Sequence, residues 1–192
     1  MFSVRKNGKE LDKSKYNWDE SDKTFNASED NLVLDFTGYD GVTFHTGGWC
    51  SFITGNFCKF YTGHYCTFRA GTSCIFNTGA SCAFYTGYDC IFITGRSCVF
   101  ATGNSCVFET DCFCTFYTGY YSTFNVAGNC SMIRYDIKGI TEIPAYKKIR
   151  LNGNGVYGYM EIKEEVKEKE KDCNGKVVVI DGKEYTLQLK GE

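Results

Sequence analysis

Proline is almost absent from this 192-residue chain, with Pro144 the sole example, and histidine is limited to His45 and His64. The charges nearly cancel, 21 basic side chains against 23 acidic ones, for a formal net charge of −2. Each shortage removes a class of function. Without an excess of Lys and Arg there is no electrostatic term able to hold a phosphate backbone, so no nucleic-acid partner is expected. No apolar run approaches the length of about 20 residues that crosses a bilayer, so no membrane association is expected. The opening residues, Met1-Phe2-Ser3-Val4-Arg5-Lys6-Asn7-Gly8-Lys9, lack the apolar core of a signal peptide. The expected compartment is therefore the cytoplasm, whose reducing conditions argue against a disulfide framework for the 12 cysteines.

What the chain has instead is bias. It holds 16 Phe, 14 Tyr, 12 Cys and 21 Gly, a concentration that points to an internal repeat. Phenylalanine supplies the period. Phe36, Phe44, Phe52, Phe60, Phe68, Phe76, Phe84, Phe92, Phe100, Phe108, Phe116 and Phe124, followed by Met132, recur every eight residues. Two residues earlier stands cysteine, from Cys50 to Cys114 in every repeat, with Leu34, Val42 and Ser122 as substitutes. Two residues later stands mostly threonine, then glycine, as at Thr54-Gly55 and Thr62-Gly63. The consensus is Cys-x-Phe-x-Thr-Gly-x-x. Spacing of two places Cys, Phe and Thr on one face of an extended strand, so these three point inward. The glycine is expected to supply the positive φ of the corner.

A strand plus a corner every eight residues predicts an all-β fold, a parallel β-solenoid of either hand. Two octads or three could close one coil. At a spacing of 16 the residues between Cys and Phe form an apolar ladder, Ile75, Ile91 and Val107, and at 24 no such ladder survives. Sixteen residues per coil is therefore preferred, giving roughly six coils about 4.8 Å apart, with 24 as the alternative. Phe then faces Phe across the core, and Cys faces Thr. Stacked cysteines read as buried thiols acting as small hydrophobes. Cys112, in the corner Thr110-Asp111-Cys112-Phe113-Cys114, is off register and expected to be exposed.

The stretch Gly-Asn-Phe-Cys-Lys-Phe-Tyr-Thr-Gly-His-Tyr-Cys-Thr-Phe at 55–68 resembles the octapeptide repeats of poorly characterised proteins of tailed bacteriophages and large DNA viruses. The lead-in Asn31-Leu32-Val33-Leu34-Asp35-Phe36 and the later Lys148-Ile149-Arg150-Leu151-Asn152-Gly153 are similar to that group as well. The resemblance covers about half of the chain. It implies a viral or phage origin, hence a host cytoplasm or a virion as the place of action, and it implies no activity. Ala70, Ser122 and Val126 depart from the consensus and suggest coils that loosen toward the C-terminal end.

The flanks read as covers for the open sheet edges. Residues 1–33 form an expected N-terminal β cap, with a hairpin at Asn7-Gly8, a second turn at Asp19-Glu20-Ser21-Asp22, and Trp18 and Phe25 as plugs. The repeat domain spans 34–135. Residues 136–192 are expected to form a small C-terminal β module, with the strands around Ile133-Arg134-Tyr135 and Ile149-Arg150-Leu151 joined through the Pro144 turn. A solvated charged run from Glu161 to Asp172 follows, and a hairpin over 177–187 ends the module.

Chemistry is hard to find. The array's acids, Asp35, Asp40, Asp89, Glu109 and Asp111, include no two spaced by 16, and the close pair Glu109 and Asp111 reads as surface solvation. There is no Ser-His-Asp signature, phosphate loop or metal triad, so no catalytic residue, cofactor or metal is expected. The regular threonines face inward, which disfavours ice binding. Two surface features remain. One is the apolar strip Ile75, Ile91, Val107 and Ile93, a candidate interface. The other is a set of corner aromatics, Trp49, Phe57, Tyr65, Tyr88, Phe113, Tyr120 and Tyr121, a candidate rim for a protein or a carbohydrate. The expected function is a non-enzymatic structural or interaction part, virion-associated or fibre-like, that binds a protein or itself. The alternative is a soluble module that sequesters a host protein or small ligand.

Overall fold

The computed structural model describes residues 2–163 and the backbone of strands Val177–Ile180 and Lys183–Thr186. Contacts divide the chain into two units, Met1–Ile162 and Lys163–Glu192. Of the second unit the structure describes one antiparallel hairpin, with Val177 opposite Thr186 and Ile180 opposite Lys183. The charged run from residue 164 onward and Cys173 lie outside the described residues.

The first unit is a parallel β-solenoid of about seven turns, about 16 residues each. Its coils build two ten-stranded sheets. The parallel strands of sheet A run Leu32–Phe36, Ser51–Thr54, Thr67–Arg69, Ala83–Tyr85, Val99–Ala101, Thr115–Thr118 and Cys130–Arg134. Those of sheet B run Thr24–Asn26, Thr43–His45, Lys59–Thr62, Ile75–Thr78, Ile91–Thr94, Val107–Thr110 and Thr123–Val126. Register settles the coil length. Phe44 pairs with Phe60, and Phe60 with Phe76, so a coil of 24 is excluded.

Alternation buries every second side chain of each strand, and between the sheets this yields a column of rings. Within a sheet the rings stack nearly parallel, Phe60 on Phe76 at 4.7 Å and 1° and Phe84 on Phe100 at 4.8 Å and 4°. Across the core they meet edge to face, Phe76 against Phe84 at 5.2 Å and 76°. Both geometries bring the positive edge of one ring, or an offset face, against the negative face of another. Phe44 through Phe124 are all buried. This herringbone is the folding force of the array.

The corner works differently from expectation. The consensus glycines do not have positive φ; the left-handed residue is the one just before cysteine, such as Trp49 at 60°, Phe57 at 57° and Ser73 at 55°. The glycine is needed for clearance. A Cβ at Gly63 would stand 2.9 Å from the Gly48 backbone nitrogen, and one at Gly95 would stand 3.0 Å from that of Ala80. Coils stacked this closely leave no room for a side chain. Backbone bonds across the gap follow, with Gly71 N donating to Gly55 O at 2.9 Å.

At the N-terminal end the array starts earlier and in a different register. Leu34, rather than Phe36, stands in the phenylalanine column opposite Phe52, and Phe36 takes the threonine position opposite Thr54. Thr24–Asn26 is already a parallel strand of sheet B, which raises the expected six coils to about seven. The spacing of eight between Phe36 and Phe44 is real, but the wider corner Thr37-Gly38-Tyr39-Asp40-Gly41 shifts the strand. The expected plug is present and larger than foreseen. Trp18 pairs with Phe25, and Phe2 stacks on Phe36 at 4.3 Å.

The C-terminal end is closed rather than loosened. Phe124, Val126 and Ser122 are fully buried. Strands are found around Ile133-Arg134-Tyr135 and Ile149-Arg150-Leu151 as expected, but a further strand, Ile140–Ile143, comes before Pro144, and the strands on either side of that turn join different sheets. Ile140–Ile143 pairs antiparallel with Cys130–Arg134 on sheet A, while Lys148–Leu151 pairs antiparallel with Thr123–Val126 on sheet B. Residues 136–162 thus pack as the lid of the solenoid.

Candidate functional site

Outward residues on sheet B form a two-column lattice. One column reads Thr43, Lys59, Ile75, Ile91, Val107 and Thr123, and the other His45, Tyr61, Asn77, Ile93, Glu109 and Asn125. The aliphatic ladder is therefore in register. Ile91 keeps 38% and Ile93 44% of its surface exposed, whereas Ile75 and Val107 are half-buried by their neighbours in the ladder. One Lys and one Glu mark the ends of the patch. Sheet A also exposes Val33, Ile53 and Val99, but no two of these are neighbours in a column, and Arg69 lies over the Tyr85 ring at 5.9 Å between them.

The aromatic corners do not make one rim. Trp49, Tyr65 and Phe113 stand on the edge that leads into sheet A, and Phe57, Tyr88, Tyr120 and Tyr121 on the opposite edge. Rings meet only between adjacent coils or within one corner. Trp49 stacks on Tyr65 at 4.2 Å, and Tyr120 meets Tyr121 at 5.2 Å. Phe57 and Phe113 are each 60% exposed. Five of these seven, Trp49, Phe57, Tyr65, Phe113 and Tyr121, occupy the left-handed corner position, a conformation that costs an L-residue about 1–2 kcal/mol.

Polar corner side chains tie one coil to the next. Asp40 accepts a hydrogen bond from Asn56 N at 2.6 Å, and Asn56 in turn from Thr72 N at 2.9 Å. His64 Nδ1 accepts from Ala80 N at 2.8 Å. Asp35 accepts from the hydroxyl and amide of Thr37, and these bonds hold its carboxyl below the usual range. The acids thus serve corners. Glu109 lies on the outer face of sheet B, while Asp111 accepts from Cys112 N in the adjoining corner.

Cysteines run in two ladders, one along each edge of the core. All eleven within the described residues are free thiols, ten of them buried, and Cys112 is half-buried rather than exposed. They are more than apolar filler. Cys66 Sγ accepts from Cys50 N at 3.4 Å and donates to His64 O at 3.6 Å, and Cys82 repeats the pattern. Ser122, standing in for cysteine, accepts from Cys106 N in the same way. Hydrogen bonds between neighbouring thiols push Cys66, Cys74 and Cys106 up and their partners Cys82 and Cys90 down, while burial works to raise all five. Among the described residues no group of His, Cys, Asp and Glu is arranged to hold a metal.

Two open grooves flank the array. One of about 760 Å³ lies beside the C-terminal lid, between Phe113, Asn129, Ser131, Glu142 and Tyr159. The other, of about 650 Å³, lies between Tyr16, Asn26, His45 and Tyr61, where His45 stacks on Tyr61 at 4.9 Å. Sequence reasoning also missed Arg134. This buried guanidinium pairs with Asp136 at 2.6 Å and donates to the carbonyls of Gly153 and Val156, locking the lid. Its only signal was a charge at an inward position after Met132. Comparison with protein-family models, curated proteins and solved structures gives no match.

Proposed function

We propose that this chain is a non-enzymatic structural or interaction component of a phage or large DNA virus, whose solenoid binds protein through its outer surface. The viral assignment rests on the resemblance of the 55–68 octads. The observation that carries the reading is the in-register ladder of Ile75, Ile91 and Val107 with Ile93 beside it. Water gains nothing from an aliphatic strip kept on a sheet face, and a partner removes it. A virion-associated part is recovered from purified particles or forms an ordered assembly. Its action is in the host cytoplasm or the particle.

The strained corners favour a second reading, a soluble module that sequesters a host protein or a carbohydrate. Asn or Gly would fill the left-handed positions at lower cost, so exposed Trp49, Phe57 and Tyr65 represent stability given up for contact. The two readings separate experimentally. Ile91→Lys combined with Ile93→Glu leaves the fold intact, because both side chains point outward, and abolishes the assembly if the strip is the contact. An unchanged sedimenting mass from an oligomeric parent overturns the strip as the contact and leaves the corners. Mass spectrometry of purified virions tests the structural role directly; absence from particles, with a host protein copurifying, selects the sequestering module.

A further inference from the structure

We infer that the outer face of sheet B is its own complement and pairs with the same face of a second copy, the two rods lying antiparallel. This rests on the reading of the aliphatic strip as a contact surface. It adds who the partner is. Between Thr43 and Asn125 the outward positions of sheet B carry a single Lys and a single Glu, at opposite ends of the ladder. Lys59 is in register below Ile75, and Glu109 is in register above Ile93.

Consider a twofold axis parallel to the strands, passing between the coils of Ile75 and Ile91. It places Ile75 of one copy over Ile91 of the other, and Lys59 over Val107. Tyr61 then covers Glu109. Each Lys59 lies one side chain away from the Glu109 of the second copy, a distance its long stem spans, and the symmetry makes this contact twice. A partner of unrelated sequence would have to supply an acid and a base at those two spots by coincidence. A second copy supplies both. The alternative axis, parallel to the rod, leaves Lys59 and Glu109 three coils apart, about 14 Å, with no compensation.

Size decides the strength. Four coils of four-residue strands make a flat footprint of about 250 Å² per copy, well under the roughly 1,200 Å² of total burial in stable complexes. The pairing is therefore transient and driven by concentration.

The test is sedimentation of the full chain over a concentration series, with Lys59→Glu, Glu109→Lys and the double exchange. Each single change sets like charges against each other in two places and weakens dimerisation about three- to tenfold. The double exchange restores it, since the pair is only reversed. Both substituted positions are on the outer face, and an unchanged circular dichroism spectrum confirms the fold. A parent that stays monomeric up to about 1 mM, or a double exchange no better than the singles, overturns the proposal. A monomeric parent whose partner binding is lost on Ile91→Lys with Ile93→Glu overturns self-pairing alone and leaves the strip as a contact for another protein.

Discussion

Phe57 shows how much a single residue can reveal about what the fold tolerates. Its φ of 57° is one that bulky side chains avoid, and its ring is 60% exposed. Replacing it with Asn, which accepts this conformation readily, removes strain and should raise stability by about 0.5–1 kcal/mol, read as a higher melting temperature. A loss instead would mean the ring packs usefully in solution. The same replacement at Trp49 should gain less, because its stack on Tyr65 is forfeited. None of this was legible in the sequence. Left-handed corners announce themselves through Gly or Asn, and here the glycine sits two residues earlier, where it gives clearance instead of φ. A glycine looks the same in both roles.

At the scale of elements, the lid depends on one buried ion pair. Arg134 at the end of Cys130–Arg134 reaches Asp136 and the carbonyls of Gly153 and Val156, so one guanidinium fastens the loop that follows Lys148–Leu151. Burial works to raise the Asp136 pKa, but hydrogen bonds from Arg134 and from Gly155 N outweigh it and hold the carboxyl below its ordinary value. A lowered folded pKa contributes stability that is fully present above the unfolded pKa near 4 and is lost as pH falls through the folded value. The lid should therefore loosen below about pH 4. Asp136→Asn should melt lower at pH 7 and lose less on acidification, because its contribution is already gone; parallel curves for parent and variant would show that Asp136 does not govern the lid. The strands of the array were legible because Phe repeats without a slip from Phe44 to Phe124, with Cys two residues before it from Cys50 to Cys114, and the sheet B ladder because it shares that period. The lid was not, since Pro144 marks a turn without telling which sheet each flanking strand joins. The first coil was misread for a related reason. A wider corner at Thr37-Gly38-Tyr39-Asp40-Gly41 keeps the phenylalanine spacing while moving Phe36 into the threonine column.

Across the whole molecule, a stack in which each coil touches only its neighbours should lose stability locally and pass the loss along one dimension. Phe84 is enclosed by four rings, Phe68 and Phe100 in its own stack and Phe76 and Phe92 across the core, so Phe84→Ala should cost about 3–5 kcal/mol. Phe124 meets two rings, Phe108 and Phe116, but Ile149 of the lid pairs over it and leaves it fully buried. Its truncation should fall in the same range, against the smaller loss that a frayed end would give. The two variants should differ in where the damage appears. With Phe84→Ala the coils on both sides lose their shared rung, and hydrogen exchange should rise through the middle of both sheets. With Phe124→Ala, exchange should rise in Thr123–Val126 and Lys148–Leu151 while Thr67–Arg69 and Ala83–Tyr85 stay protected. Uniform loss of protection in both variants would mean that the rod unfolds as a single cooperative block, and the nearest-neighbour description would fail.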